Sequence, residues 1–430
     1  MNSTMKSLIL ILSTSLWAAS ALLAADWPRF RGPHGNGISD EKGLPLEWSA
    51  TKNIIWKADL PGRGASSPIV WRDRVYVTAY SGYGLTKNDR ADKDALQRHL
   101  LCFNRKDGGL LWKVDFGGPN KEHGICDFLD LHGYASSTPV ADASGVFVYY
   151  GVGGLLAYDH AGKQKWHKPL GSRQHNFGTA SSPILFNNLV IIHADIEAQA
   201  LLALDKETGR EVWRVPAGDQ KFGDSWSTPL VVDVGQKQEL VFHRSQGNPG
   251  TFAAVDPRNG EALWECQILK DYLCPSPIAH NGVIYTIAAQ RAAAVRAGGK
   301  GDVSQSHVLW RISKGSEVCS PIYHDGHLYW TSENNGTAYC LNATTGETVY
   351  QERLREPGRI YASGVLVEGR IYYVSQKKGT YVIAAKPKFE LLAHNVIESD
   401  SSIFNGSPAM SGSQFFLRSD RHLYCIGTKP

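Results

Sequence analysis

The sequence has little excess charge of either sign and few long apolar runs. Lys and Arg number 45 against 41 Asp and Glu, which gives a formal net charge of +4. An excess this small, dispersed without a basic stripe of interleaved aromatic residues, argues against nucleic-acid binding. Past the N-terminus, no stretch approaches the roughly 18 apolar residues that a membrane-spanning helix needs. No long segment has a 3.6-residue period either, which argues against a helical fold.

The N-terminus has the features of a secretory signal peptide. Lys6 precedes an apolar run from Leu8 to Leu16, and small residues that suit a cleavage site follow up to Ala25. We therefore expect residues 1–25 to be removed by cleavage before Asp26 and the mature protein to be periplasmic or secreted. No cysteine stands at the cleavage point, which argues against lipid anchoring.

A turn recurs along the chain. In its clearest copy, the Asp205 side chain can bond to the backbone two residues ahead, Gly209 can take the positive φ of the turn, and Trp213 follows. Several copies of one turn indicate a repeat fold. The predicted structural residues of the repeats are Gly108, Gly162, Gly209, Gly260, Gly346, Trp56, Trp112, Trp166, Trp213, Trp264, Trp310 and Tyr350.

A second marker, a small hydroxyl residue followed by proline, recurs ahead of the turns. It stands at Ser67, Thr138, Ser182, Thr228, Ser276, Ser320 and Ser407, with Ser363-Gly364 in the matching place between the last two. The six steps from Pro139 to Pro408 average about 45 residues, which is the length of a four-stranded propeller blade.

The strand pattern predicts how the ring closes. The last repeat ends after three strands, and the segment around Trp56 resembles an isolated fourth strand. We therefore predict an all-β, eight-bladed β-propeller of four-stranded antiparallel blades at residues 53–430, closed by the strand near Trp56. Residues 26–52 are expected to form an irregular cap segment. Function is expected in the long loops of blade one, at residues 81–99 and 117–133.

The turn from Asp205 to Trp213 resembles the tryptophan-docking repeat of the PQQ-like, or quinoprotein alcohol dehydrogenase-like, β-propeller superfamily. The resemblance extends from Trp56 to the C-terminus and is closest in type to secreted, non-enzymatic members. It implies that each tryptophan packs between blades and donates its ring N–H to the next blade. Enzymatic members hold PQQ beside two adjacent cysteines, with a Ca²⁺ or lanthanide ion on acidic and Asn residues.

This sequence lacks the features of the enzymatic members. No two of its seven cysteines are adjacent, and no set of carboxylates has the spacing of a metal cage. We expect no bound cofactor; the alternative is PQQ with Ca²⁺. The cysteines are interpreted as small buried apolar residues, and the alternative is a disulfide between Cys266 and Cys274 in an oxidising compartment.

One polar constellation lies in the second long loop of blade one. His123, Cys126, Asp127 and His132 include enough ligand types for Zn²⁺ or another transition metal. Their spacing matches no established site, so a structured rim loop without metal is the favoured interpretation.

Two further features are interpreted as structural. We expect Asp195 and Glu197 to form a solvated strand end, with the channel as the alternative place for their side chains. Trp226 is expected to be a packing residue.

The favoured function is an exported, non-catalytic scaffold whose rim loops bind a protein, peptide or polysaccharide. The reason is a strong scaffold pattern without a catalytic constellation. The alternatives are a periplasmic PQQ-dependent oxidoreductase with a divergent site and a carbohydrate hydrolase or lyase. A closed ring needs no second copy to cover its edges, so we expect a monomer.

Overall fold

The computed structural model describes residues 25–89, 91–117, 122–126, 128–216, 225–244, 250–269 and 274–428. Their strands form eight antiparallel blades of four strands, arranged as a ring. The predicted all-β, eight-bladed propeller is therefore confirmed. Residues 1–24 of the predicted signal peptide lie outside the described ranges. Within those ranges, no helix has the length and apolar character that a membrane crossing requires.

Two strands precede the first full blade, β1 (Ile38–Ser39) and β2 (Ile54–Asp59). The strands of each blade are given from the channel outwards. Blade one contains β3 (Ile69–Trp71), β4 (Arg74–Ser81), β5 (Gln97–Asn104) and β6 (Leu110–Phe116), and blade two contains β7 (Val140–Asp142), β8 (Gly145–Tyr149), β9 (Leu155–Tyr158) and β10 (Gln164–Lys168). Blade three contains β11 (Ile184–Phe186), β12 (Leu189–Ala194), β13 (Ala200–Asp205) and β14 (Glu211–Pro216), and blade four contains β15 (Leu230–Val234), β16 (Lys237–Arg244), β17 (Gly250–Val255) and β18 (Ala262–Leu269).

Blades five to eight continue the pattern, and the eighth takes β2 as its outer strand. Blade five contains β19 (Ile278–His280), β20 (Val283–Ala288), β21 (Arg291–Arg296) and β23 (Val308–Ile312), and blade six contains β24 (Ile322–His324), β25 (His327–Thr331), β26 (Thr337–Asn342) and β27 (Thr348–Arg353). Blade seven contains β28 (Val365–Val367), β29 (Arg370–Ser375), β30 (Gly379–Ala384) and β31 (Leu391–Asn395). Blade eight contains β32 (Ala409–Ser411), β33 (Gln414–Arg418) and β34 (His422–Ile426). The short β22 (Gly301–Asp302) pairs in parallel with β18. Helical segments are α1 (Asp195–Ala198) and 3-10 turns at Lys93–Ala95, Leu129–Leu131 and Gly151–Gly153.

Burial differs between the middle and the outer strands of a blade. Every residue of β12 is buried, because both faces of this strand pack against other blades. Along the outer strand β14, buried Trp213 stands between exposed Val212 and Arg214. The core is therefore a series of apolar layers between neighbouring blades.

The repeat tryptophans lie at these layers. Trp166 of blade two donates its ring N–H to the carbonyl oxygen of Lys206 in blade three at 2.8 Å. A Cβ atom on Gly209 would lie 2.7 Å from the Trp166 ring, and Gly209 has a φ of +69°, so glycine suits this place sterically and conformationally. The equivalent ring N–H bonds join Trp56 to Arg105, Trp112 to His160, Trp213 to Pro257 and Trp310 to Ala343.

Two of the predicted repeat aromatics, Trp264 and Tyr350, do not make this bond to the next blade. Trp264 donates its ring N–H to the Glu239 carboxylate of its own blade at 2.8 Å, because a longer connection, residues 297–307 between β21 and β23, replaces the turn in blade five. Tyr350 packs edge-on against Phe389, with ring centroids 5.7 Å apart.

The ring closes between blades eight and one. Strand β2 pairs antiparallel with β34, with Trp56 opposite Cys425. The buried Arg418 guanidinium reaches into blade one and donates to the carbonyl oxygen of Thr78 at 2.8 Å. The predicted closure by the strand near Trp56 is therefore the closure that the structure has.

The N-terminal segment crosses one end of the channel. We call residues 27–39 the strap; β1 within it pairs in parallel with β28 of blade seven. Its hydrogen bonds to the inner parts of four blades are those of Trp27 with Val70, Pro28 with Ala141, Arg31 with Pro321 and Gly37 with Leu366. The strap therefore ties blades one and two to blades six and seven across the axis.

All seven cysteines are free thiols. The alternative disulfide between Cys266 and Cys274 is wrong: Cys266 is buried within the apolar layer between blades four and five, whereas Cys274 lies at the channel. Five of the seven are buried, as small apolar residues would be: Cys102, Cys266, Cys319, Cys340 and Cys425.

Candidate functional site

One hydroxyl residue from each blade contributes to a ring around the channel. Thr138 Oγ1 accepts the backbone N–H of Ser67 at 2.9 Å, and Thr138 donates its own N–H to Ser182 Oγ at 3.0 Å. The same link, at 2.9–3.1 Å, runs from Ser182 to Thr228, Ser276, Ser320, Ser363 and Ser407 in turn. We call these eight residues the hydroxyl ring; they are the residues of the second sequence marker.

A chamber of about 520 Å³ lies at the hydroxyl ring. All eight ring residues line it, together with Phe30 of the strap. A hydroxyl oxygen that accepts a backbone bond keeps its own hydrogen for donation. The ring therefore offers hydrogen-bond donors inside a cavity whose volume is typical of small-molecule sites.

The two sides of the chamber differ in chemistry. Blades one to four contribute an aromatic wall of Phe128, His132, Phe177 and Trp226. Blades five to eight contribute a largely polar wall, which comprises Cys274, Glu317, Asn334, Arg359, Tyr361 and Asn405. A ligand with an apolar face and a polar edge matches this asymmetry.

The aromatic wall extends from the surface into the chamber. Phe128 is 51% exposed, and its ring centroid lies 4.3 Å from that of Phe177. Phe177 in turn lies 5.5 Å from Trp226, which is only 4% exposed. The Trp226 ring N–H donates to the carbonyl oxygen of Gly178 at 2.8 Å and so fixes the ring. Trp226 thus packs, as the sequence predicts, and also lines the chamber.

The second long loop of blade one forms part of the mouth. Arg63 makes ion pairs with Asp130 of this loop at 2.7 Å and with Asp420 of blade eight at 3.1 Å. Tyr80 of β4 packs with Leu96 and other apolar residues of both long loops next to this ion pair. The 3-10 turn Leu129–Leu131 is thereby held in place, and the residues just after it line the chamber.

The predicted metal candidates make other contacts. His132 uses one ring nitrogen with Ser136 and the other with the carbonyl oxygen of Phe177, and desolvation lowers its pKa. Cys126 donates its thiol to the carbonyl oxygen of Asn176 at 3.0 Å, and the His123 ring bonds to the Gly124 carbonyl. Asp127 lies outside the described residues. Within the ranges described, no group of three or more His, Cys, Asp or Glu side chains could hold a metal ion.

The prediction that Asp195 and Glu197 form a solvated strand end is wrong. Both lie on α1 and are buried. Glu197 accepts hydrogen bonds from the Tyr149 hydroxyl at 2.5 Å and from Thr179, and burial raises its pKa to about 8. Asp195 accepts the backbone N–H of Ser225 at 2.8 Å. Glu197 thus holds the segment that carries Phe177, through Thr179, and Asp195 holds the segment that carries Trp226, through Ser225.

The sequence matches the family described as outer membrane protein assembly factor BamB over residues 96–352. The chain belongs to this family. Membership confirms the expected PQQ-like propeller superfamily.

Solved structures of different function share the fold. BamB from Moraxella catarrhalis superposes with a TM-score of 0.59 at 13% identity, covering 87% of this chain and 97% of that one. A europium-containing methanol dehydrogenase superposes with a TM-score of 0.67 at 10% identity, covering 94% and 98%. Identities this low show the fold alone.

One curated relative matches over much of the chain. The tetrathionate hydrolase of Acidithiobacillus ferrooxidans is 24% identical over 349 residues, which are 75% of this chain and 65% of that enzyme. The similar proteins thus include an assembly factor and enzymes, and membership of the family does not assign an activity.

The chamber was not among the sequence predictions, although the sequence contains a pattern that indicates it. The Ser/Thr-Pro marker was interpreted only as a measure of blade length. In a propeller, however, a polar residue at the same inner position of every blade must form a ring around the channel. Phe177 and Arg359 carry no repeat signal, because loops outside the repeat supply them.

Proposed function

We propose that the protein is an exported, non-catalytic binding propeller that holds a protein or peptide partner at the channel mouth. The observation that carries this proposal is the chamber of about 520 Å³ with its aromatic wall. An apolar side chain in a desolvated pocket, surrounded by polar contacts, is the usual energetic centre of a protein interface. Similarity to BamB, an assembly factor, supports a protein partner over a polysaccharide.

The partner is expected to contact Phe128 first and to insert a side chain beside Phe177. Phe128 is half exposed at the mouth, where an exposed aromatic residue favours binding of an apolar group. The polar wall, with Glu317 and Arg359, would then bond to polar atoms of the partner's backbone. Periplasmic or extracellular location is part of the same proposal and rests on the signal-peptide pattern and on the family.

A photo-reactive amino acid at Phe128 tests this proposal in cells of the native host. The expected result is a cross-link to a defined protein, which is lost when Ala180→Trp fills the chamber that Ala180 lines. The matched control carries the same amino acid at Leu391, which is 44% exposed on an outer strand. Equal cross-linking from both positions, or a cross-link that persists in a folded Ala180→Trp variant, would contradict the proposal.

The alternative is a PQQ-dependent oxidoreductase with a divergent site. The specific observation in its favour is that the chamber has the volume and an aromatic wall for a planar quinone, with Arg359 and ring hydroxyls as donors to carboxylates. The described part of the chain has no group of three or more His, Cys, Asp or Glu side chains that could hold the accompanying ion. We therefore derive no catalytic step through the cofactor.

A fluorescence titration with PQQ, with and without Ca²⁺, separates the two functions. Under the binding proposal we expect no saturable quenching of tryptophan emission at micromolar PQQ. Saturable, Ca²⁺-dependent quenching that weakens in the Trp226→Phe variant would support the oxidoreductase instead, since Trp226 lines the chamber.

A further inference from the structure

One segment of the polar wall carries hydrogen-bond donors that the protein itself does not use. Arg359, Tyr361 and Ser363 line the chamber, whereas Ile360 and Ala362 between them are buried in apolar layers. This alternation places the guanidinium, the phenol and the hydroxyl on the chamber side of a single segment. No described residue forms a hydrogen bond or an ion pair with the Arg359 guanidinium or the Tyr361 hydroxyl.

The neighbouring amide of the polar wall is already bonded. Asn405 donates to the carbonyl oxygen of Leu131 at 2.5 Å and accepts from the Gln376 side chain at 2.7 Å. Desolvation raises the pKa of Tyr361, and the charge of Arg359 opposes this rise, so the two groups lie within electrostatic reach of each other. The unused donors of this wall therefore lie together rather than at separate places.

Ser363 joins this segment to the hydroxyl ring. Its hydroxyl oxygen accepts the backbone N–H of Ser320 at 3.0 Å, and both serines are buried. Among the described residues, none accepts the hydroxyl hydrogen of either serine. Donors that are out of contact with bulk water are unfavourable without an acceptor. The ring and the polar wall together therefore favour a ligand group that accepts several hydrogen bonds and donates none.

Positive charge favours an anionic acceptor at this place. Arg359 and Glu317 are the charged residues of the chamber lining, and the strap adds Arg29 and Arg31 without an acid. Desolvation lowers the pKa of Arg31 to about 9 and that of Arg29 to about 10, so both remain cations at neutral pH. Arg31 donates to the carbonyl oxygen of Pro321, which follows a serine of the hydroxyl ring, at 2.5 Å. Charges attract more strongly across a poorly hydrated cavity than through water.

We propose that the chamber binds the C-terminal residue of a polypeptide partner, with its carboxylate at Arg359 and the hydroxyl ring and an apolar side chain at the aromatic wall. This inference rests on the proposed function and names the part of the partner that enters. A carboxylate accepts several bonds and donates none, as the unused donors require. Phe177 and Trp226 of the aromatic wall offer the contact for the apolar side chain.

A chain end suits the chamber better than an internal segment. The strap crosses one end of the channel, so an internal segment would have to enter and turn back through the mouth. A chain end needs room for one strand only. The terminal residue also presents its carboxylate and its side chain from one Cα atom, which matches a chamber with a polar wall and an aromatic wall.

Binding of a labelled peptide to the mature protein tests the carboxylate. In fluorescence polarisation, the peptide Gly-Ser-Gly-Ser-Phe with a free C-terminus is expected to bind at least about tenfold more tightly than its C-terminal amide. Serine in place of the terminal phenylalanine is expected to weaken binding by about tenfold or more. Equal binding of acid and amide, or no saturable binding of the acid up to about 1 mM, would overturn the proposal. So would an equal affinity for phenylacetate, which has both groups without a polypeptide.

Arg359→Gln assigns the preference for the acid to the chamber. Arg359 is exposed, so the variant is expected to fold, and its ratio of acid to amide affinity is expected to fall towards one. Arg353→Gln is the matched control, because it removes the same charge from an exposed place on the outer strand β27. An equal change of this ratio in the two variants would overturn the proposal.

The cross-link from Phe128 separates this inference from the proposed function. Mass spectrometry of the cross-linked partner is expected to identify its C-terminal peptide. A cross-link to an internal segment would overturn the inference and leave a protein partner at the channel mouth. The absence of any cross-link to a protein would contradict the proposed function and the inference together.

Discussion

Replacement of Trp166 by alanine is expected to lower the free energy of unfolding by about 3–5 kcal/mol. The side chain is buried between blades two and three beneath Gly209, so its removal leaves a cavity in an apolar layer. The carbonyl oxygen of Lys206 also loses the ring N–H that it accepts. Denaturant unfolding of the mature protein, followed by circular dichroism, measures the change.

Val212→Ala provides the control for this substitution. Val212 is 46% exposed on the outer strand of blade three, so its truncation is expected to change the free energy of unfolding by about 0.5 kcal/mol or less. Similar losses in the two variants would show that the tryptophans do not connect the blades energetically.

The free energy of unfolding is expected to fall between about pH 5 and pH 8 because of Glu197. Burial raises the pKa of its carboxyl to about 8, so the folded protein keeps a proton that the unfolded chain has released. The stabilisation is complete below the unfolded pKa and is lost as the pH rises through the folded pKa. The loss amounts to up to about 5 kcal/mol.

The difference between wild type and Glu197→Gln isolates this contribution. The amide cannot ionise, so the variant's free energy of unfolding is not expected to decline between about pH 5 and pH 8. The pH profiles of wild type and variant should converge at low pH. Glu207→Gln is the control, since the Glu207 side chain is exposed and pairs with Lys165 at the surface, and this variant should keep the wild-type pH profile. If the free energy of unfolding changed with pH in the same way in wild type and in Glu197→Gln, this result would contradict a protonated Glu197 in the folded protein.

Local chemistry made the fold predictable from the sequence. The turn at Asp205 needs only its own side chain and a glycine of positive φ: Asp205 accepts the backbone N–H groups of Glu207 and Thr208. Repetition of this turn, the spacing of the hydroxyl-proline marker and the missing fourth strand of the last repeat then give eight blades and their closure at Trp56.

The features that could not be predicted from the sequence depend on contacts between distant parts of the chain. Asp195 and Glu197 follow an apolar strand, and nothing nearby in the sequence indicates that Tyr149 and Thr179 enclose Glu197. The strap is similar, because the bond from Arg31 to Pro321 spans 290 positions. Such contacts follow from the closure of the ring, which places residues of different blades around one axis.

The strap also has a kinetic consequence. It crosses one end of the channel and places Phe30 in the chamber wall, so under the proposed function a group held in the chamber would enter and leave at the opposite end. Under this proposal the residence time depends on the loops at that end, and above all on the segment that Arg63 holds through Asp130. Weakening this ion pair is expected to change the rate of release more than the rate of entry.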